Sequence, residues 1–127
     1  MEGENIVCPV DRTLNLINKK WNIQIIRDLF FGKKHFKDFK ESNPNLSNKV
    51  LSNCLKELEE NGIIEKQVLN TTPISTEYQL TEYGRSMNRI IYELAMFTLN
   101  DEKSEVYSDE TRNALKENFK QTLKIDD

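Results

Sequence analysis

The stretch SNKVLSNCLKELEENG, residues 47–62, leaves room for little besides one amphipathic helix of fixed length. Ser47 can accept a backbone N–H bond at its start, and Asn61-Gly62 can close it in a left-handed turn, with Ile63 folding back on the last turn. Stepping about 100° per residue from Val50 puts Val50, Leu51, Cys54, Leu55 and Leu58 between about 0° and 140°. Lys49, Ser52, Asn53 and Lys56 fall between about 200° and 300°. The first set can be buried, and the second can donate hydrogen bonds. Upstream, KKHFKDFKESN predicts a short helix with Phe36 and Phe39 inward and Lys37, Asp38, Lys40 and Glu41 outward. NPNLS breaks it, because Pro44 cannot continue a helix. A helix, a short turn and a second helix make a helix-turn-helix over about residues 35–61.

The flanking sequence supplies the rest of a small, mainly α fold. Pro9 suits the first position of a helix whose apolar side is Leu14, Leu16 and Ile17 and which NKK ends. From Trp21, the series Ile23, Ile25, Ile26, Leu29, Phe30 predicts a strongly apolar core helix closed by Gly32. IIEKQVLN and STEYQLT read as two strands around the turn-like TTPI, the second alternating Thr76, Tyr78 and Leu80 against Glu77 and Gln79, which predicts a two-stranded hairpin over about 63–80. Thr81 then caps one long helix, about 82–99. Its first apolar line is Met87, Ile90, Ile91, Leu94, Ala95 and Thr98; its second is Tyr92, Met96 and Leu99. A helix with two apolar sides either serves its own domain and a second chain or lies wedged deep in one core. Ser108, Asp109 and Glu110 predict the start of a last helix with the thin stripe Leu115, Phe119, Leu123, either docked or partly ordered. One domain over residues 1–100 with an acidic helical extension over 101–127 fits the length.

The net charge of −3 argues against nucleic acid only until it is divided along the chain. Residues 1–100 carry 13 Lys+Arg against 13 Asp+Glu; residues 101–127 hold the whole acidic excess. Residues 33–56 carry Lys33, Lys34, Lys37, Lys40, Lys49 and Lys56 against only Asp38 and Glu41, a local +4. A partner meets that local field, not the net charge. Acidic residues are absent from 42–56 and crowd the helix end at Glu57, Glu59 and Glu60. Asn can pair with adenine edges and Lys with guanine or phosphate, so this polarity suits a helix whose first half enters a major groove. A solvated amphipathic helix without a ligand is the alternative.

Other classes find little support. No run approaches the roughly 18 apolar residues of a membrane helix, and MEGENIVCPV lacks a basic start and apolar run, so a soluble, cytoplasmic protein without membrane contact is expected. Cys8 and Cys54 form neither a metal-type pair nor a disulfide framework, and one His cannot complete a metal site with them. His35, among lysines and without a carboxylate or serine spaced to form a triad, suits a phosphate contact or a helix cap better than catalysis. The four glycines are scattered, so a phosphate-cradling loop is absent. No enzyme, cofactor or metal is expected.

Three ordered stretches, CPVDRTLNLINKKW, LSNKVLSNCLKELEENGIIEK and EYQLTEYGRSM, resemble the HxlR-type transcription regulators. These are a branch of winged helix-turn-helix proteins related to the MarR type, and the resemblance spans roughly residues 7–98. It implies a homodimer on a pseudo-palindromic double-stranded DNA operator, with the helix after NLS in the major groove and the hairpin as a wing on the backbone. It also implies pairing through the first and last long helices, here Leu14, Ile17, Tyr92, Met96 and Leu99. Two positions depart from the family pattern. Cys54 stands where an arginine is common, although inside the apolar stripe, and TTPISTEY has no basic residue before Glu77.

The expected DNA-facing set is therefore Ser47, Asn48, Lys49, Ser52 and Asn53 at bases or adjacent phosphates, with Lys33, Lys34, Lys37, Lys40 and Lys56 on the backbone. Cys8 immediately precedes the first helix, where the helix dipole and nearby Arg12 favour a reactive thiolate. Some relatives use a cysteine in this CPV segment to sense oxidants or electrophiles; a small residue packing a dimer contact is the other reading. Cys54 reads as an inert core thiol. The effector is not legible. A winged helix used for protein contacts without DNA is the competing function, and the uncharged wing is its best argument.

Overall fold

A computed structural model of the chain describes residues 6–126. In chain order it contains α1 (Pro9–Ile17), α2 (Asn22–Phe30), α3 (Phe36–Ser42), α4 (Asn48–Glu60), β1 (Ile64–Leu69), β2 (Ser75–Leu80), α5 (Glu82–Arg85), α6 (Asn88–Leu99) and α7 (Asp109–Thr122). β1 and β2 pair antiparallel, with Ile64 opposite Leu80 and Lys66 opposite Tyr78. This is the expected mainly α winged helix-turn-helix.

The core forms where the apolar stripes converge. Ile25 and Ile26 of α2, Phe39 of α3, and Leu51, Leu55 and Leu58 of α4 are buried together with Ile63, Ile64, Leu80 and Ile91. Gly62 takes φ +74 at the end of α4, which only glycine adopts without strain, and turns the chain directly into the hairpin. The hairpin's base is tied down on both sides. Thr81 N–H donates to the Ile63 carbonyl at 3.0 Å, and the Thr81 hydroxyl donates to Gly62 O and Ile63 O at 2.5 and 3.1 Å. That hydroxyl also accepts from Gly84 N–H at 3.0 Å, capping α5.

The structure corrects the expectation for 82–99. Instead of one helix there are two, α5 and α6, separated at Ser86 and Met87. The two apolar lines of the helix are also divided differently: Met87 and Ile91 of the first are buried as expected, but the lines part further along α6. Met96 and Leu99, expected at a dimer interface, are 5% and 3% exposed, and Tyr92 packs against the core. Leu94, expected in the core, is 54% exposed, and Thr98 is exposed with it. The physical reason is α7, which packs along α6. Phe119 meets Phe31 of the α2 end edge-on with ring centroids 5.2 Å apart, and Leu123 is 1% exposed. Asn88 Nδ2 donates to the Leu123 carbonyl at 2.9 Å, fixing the end of α7 on the start of α6. The C-terminal helix is thus docked on the domain through α6 and the end of α2. Its approach loop is fastened by buried Arg112, which donates to Asp109 Oδ1 at 2.8 Å and to the Ser104 carbonyl at 3.1 Å.

Candidate nucleic-acid interface

The end of α3, just before the turn into α4, holds a polar knot that sequence patterning missed. Asp28 of α2 is 4% exposed and accepts from Asn43 Nδ2 at 2.9 Å and from Arg27 Nη2 at 2.9 Å. Asn43 Nδ2 also donates to the Phe39 carbonyl at 2.8 Å, so the helix-ending residue of α3 is held from both sides. Leu46, 1% exposed, anchors the turn from within, and its carbonyl accepts from Lys40 Nζ. Ser47 then caps α4 as expected, accepting from Val50 N–H at 3.2 Å. Fully paired buried groups of this kind make the turn rigid.

On α4 the two expected faces separate, with one exception. Leu51, Cys54, Leu55 and Leu58 are buried, whereas Val50 is 40% exposed at the edge of the stripe. Ser47, Asn48, Lys49, Ser52, Asn53 and Lys56 are all exposed. Lys33, Lys37, Lys49 and Lys56 have no carboxylate ion pair among the described residues, so their charge stands open to a partner. Two other lysines of the expected set meet acceptors within the chain. Lys40 is half-buried on the Leu46 carbonyl, and Lys34 lies 3.8 Å from Glu77 of the wing. Both ammonium groups found an acceptor nearby, and sequence spacing shows a charge but not its partner.

His35 takes the helix-cap position, one of the two roles expected for it. It is the N-cap residue of α3, its N–H donates to Asp38 Oδ2 at 3.1 Å, and its Nδ1 lies 3.2 Å from the Thr76 carbonyl. Tyr78 N–H donates to the Lys34 carbonyl at 2.8 Å, so the segment before α3 runs along the outer edge of β2 and joins wing to helix-turn-helix. Burial opposes ionisation of the Asp38 carboxyl, but the N–H groups of His35 and Lys34, with the charges of His35 and Lys33, outweigh it and hold its pKa below the ordinary value.

The wing is not devoid of basic character. Lys66 is exposed on β1 opposite Tyr78 and borders a cleft between wing and α4 with Ser52, Lys56 and Glu59. Tyr78 packs edge-on against Phe39, centroids 6.2 Å apart, and burial, then the charge of Glu59, pushes its pKa up. Register could have found Lys66, since Ile64 and Leu80 face inward together and Lys66 and Tyr78 are the next pair on that side.

The unpartnered apolar surface lies on α1 and the outer side of α6. Phe97 is 88% exposed and Leu94 54%, and with Ile90, Arg89 and Glu93 they line a shallow groove. Val10 and Leu14 are 64% and 50% exposed, whereas Ile17 is half-buried against the chain's own core. Cys8 is exposed, with its thiol pKa lowered by the N–H groups of Asp11 and then Val10. That is the expected direction, but the cause is the open first turn of α1 rather than Arg12. Cys54 is buried, and burial, then Glu57, pushes its thiol up while Lys19 acts in the opposite sense.

Among the described residues no group of three or more His, Cys, Asp or Glu could hold a metal ion, and no helix is long and apolar enough to cross a membrane. Comparison with known proteins agrees with this geometry. Residues 16–105 match the model of the HxlR-like helix-turn-helix family. The chain is 42% identical over 91 residues to the HTH-type transcriptional regulator YodB of Bacillus subtilis, covering 71% of this chain and 81% of YodB. The reduced form of YodB superposes with a TM-score of 0.66, covering 79% of this chain and all of that one at 38% identity. The redox regulator HypR in its oxidized form gives a TM-score of 0.70 at 33% identity, covering 74% and 97%. The transcriptional regulator YtcD of Bacillus subtilis is 38% identical over 100 residues, 79% of each chain.

Proposed function

The chain belongs to the HxlR-like helix-turn-helix family, and from that premise we propose that it works as a homodimer whose two α4 helices read a pseudo-palindromic DNA site. The coarser statement needs no proposal: it is a transcriptional regulator with a helix-turn-helix DNA-binding fold, and its relatives are regulators rather than enzymes. One observation carries the finer reading. Every hydrogen-bonding residue on the outer face of α4 is exposed, while the opposite face is locked into the core by Leu51, Leu55 and Leu58.

In this reading Asn48, Lys49, Ser52 and Asn53 meet bases or adjacent phosphates, Ser47 N-caps the helix beside them, and Lys33, Lys37 and Lys56 hold the backbone. Lys66 joins them from the wing. Lys34 and Lys40, already engaged within the chain, contribute less. Dimerisation uses Phe97, Leu94 and Ile90 of α6 with Val10 and Leu14 of α1, in place of Met96 and Leu99. Apolar side chains exposed side by side, as Phe97 and Leu94 are, mark a surface suited to a partner. Cys8 supplies a redox or electrophile response: its thiolate is favoured, it is exposed, and it lies at the start of the helix that would pair with the second chain. HypR, the relative described as a redox regulator, lends support to that role.

The test is retention on a random-DNA column followed by a salt gradient, for wild type and Lys49→Ala. Retention of the wild type with earlier elution of the variant supports the reading. Flow-through of the wild type, despite an intact fold, favours a protein-contact module instead.

A further inference from the structure

The reading face of α4 is bordered on both sides, and the two borders differ. One is the helix–wing cleft, which takes Ser52, Leu55, Lys56 and Glu59 from α4. The other is a cavity of about 420 Å³ that takes Val50, Asn53, Cys54 and Glu57 from α4 and is closed by Lys19, Lys20 and Trp21 of the α1–α2 joint. At about 100° per residue these two sets centre about 160° apart around the helix axis, with the directions of Lys49, Ser52, Asn53 and Lys56 between them. The wing and the α1–α2 joint therefore stand on opposite flanks of the same exposed face.

A helix seated in a major groove about 12 Å wide has one phosphate backbone on each flank. We propose that Lys19 and Lys20 form a second phosphate-holding site, for the strand opposite the one met by the wing. This rests on the reading of α4 as a major-groove helix. Both lysines are exposed, and neither has a carboxylate ion pair among the described residues, although Glu57 lines the same cavity. Two ammonium groups thus face one carboxylate, leaving net positive charge for an anionic partner. The joint that carries them is fixed. Asn22 is fully buried, its N–H donates to the Lys19 carbonyl at 3.2 Å, and its Nδ2 donates to the Leu16 carbonyl at 3.5 Å. Trp21 packs against the core, and Lys20 Nζ lies 5.2 Å from its ring centroid, which favours a position of the exposed ammonium beside the cavity. The sequence alone did not single out these lysines, because they lie some thirty residues from the helix they flank.

The experiment compares Lys19→Gln, Lys20→Gln, the double variant and Lys103→Gln, an exposed lysine of the loop after α6, for binding to a short mixed-sequence duplex across salt. Each lost phosphate contact lowers the slope of log K against log salt by about 0.9, so between about 50 and 200 mM the deficit of a single variant shrinks by about 3.5-fold. The double variant is expected to lose about 1.8 from the slope, and Lys103→Gln nothing. Ethylation interference on a duplex recovered by selection should show the double variant losing sensitivity at phosphates distinct from those lost by Lys66→Gln. An unchanged slope in the double variant, or loss at the same phosphates as Lys66→Gln, overturns the second site while leaving α4 as the reading helix. Failure of the wild type to bind duplex DNA at all overturns the parent reading and this site with it.

Discussion

Truncating Phe97 to alanine should dissociate the proposed dimer without unfolding the chain. A phenylalanine side chain offers about 200 Å² of surface. At 88% exposure, roughly 175 Å² of it per chain is available for burial against a partner. At about 25 cal/mol/Å² the ring is worth about 4 kcal/mol per chain, of which alanine removes about 3. A two-fold interface buries the residue twice, giving a ceiling of about 6 kcal/mol. If only half the area is covered, about 3 kcal/mol remains, a loss of 100-fold or more in dimer affinity at about 1.4 kcal/mol per decade. Phe97 touches little within its own chain, so the far-UV circular dichroism should be unchanged. Sedimentation equilibrium over a concentration series reads the dissociation constant directly. A Phe97→Ala protein as tightly dimeric as wild type would refute the assignment of the α6 face; a wild type that stays monomeric would refute the dimer itself.

Three further perturbations probe other parts of the account. Gly84→Ala places a Cβ 2.1 Å from the Ile63 carbonyl oxygen, which Thr81 already holds by two hydrogen bonds, so urea denaturation should show a loss of about 3 kcal/mol; a neutral result would contradict the close packing of α5 on the wing base. Asp28→Ala removes the buried acceptor shared by the Asn43 amide and the Arg27 guanidinium, although each keeps another partner, and should cost about 1–2 kcal/mol and weaken DNA binding by loosening the turn before α4, whereas equal binding and stability would show that the knot does not hold that turn. Because a lowered pKa means more thiolate at a given pH, iodoacetamide should label Cys8 with a pH midpoint below that of a free cysteine, leaving Cys54 unmodified in the native chain. Cys8→Ser should keep DNA affinity but lose its sensitivity to diamide or a quinone, and sensitivity equal to wild type would remove Cys8 from the response.

The helix-turn-helix and the wing were legible because local rules agree there. The stripe Leu51, Cys54, Leu55, Leu58, the Ser47 cap, the break at Pro44 and the stop at Gly62 all describe the same α4. α6 was not legible in the same way. Ile90, Ile91, Tyr92, Leu94, Met96, Phe97 and Leu99 surround its axis with apolar groups, so periodicity cannot tell which side a neighbour covers. The missing information is tertiary: α7 packs along α6, and in the folded chain Met96 and Leu99 are buried while Phe97 and Leu94 stay outside. Charged residues show the same limit. Lys34 and Lys40 look identical in sequence to Lys33 and Lys37, yet a wing carboxylate and a turn carbonyl engage the first two. Lys19, Lys20 and Lys66 reach the flanks of α4 only through tertiary packing.

Two copies of α4 reading DNA together would leave their spacing in the preferred site, and in vitro selection of bound duplexes from a random pool reads that spacing. The account predicts an enriched sequence with two half-sites related by a two-fold axis, their centres about 10–10.5 base pairs or a multiple of that apart. A pool that returns no enriched sequence, or one unrepeated half-site bound by a monomer, would contradict it.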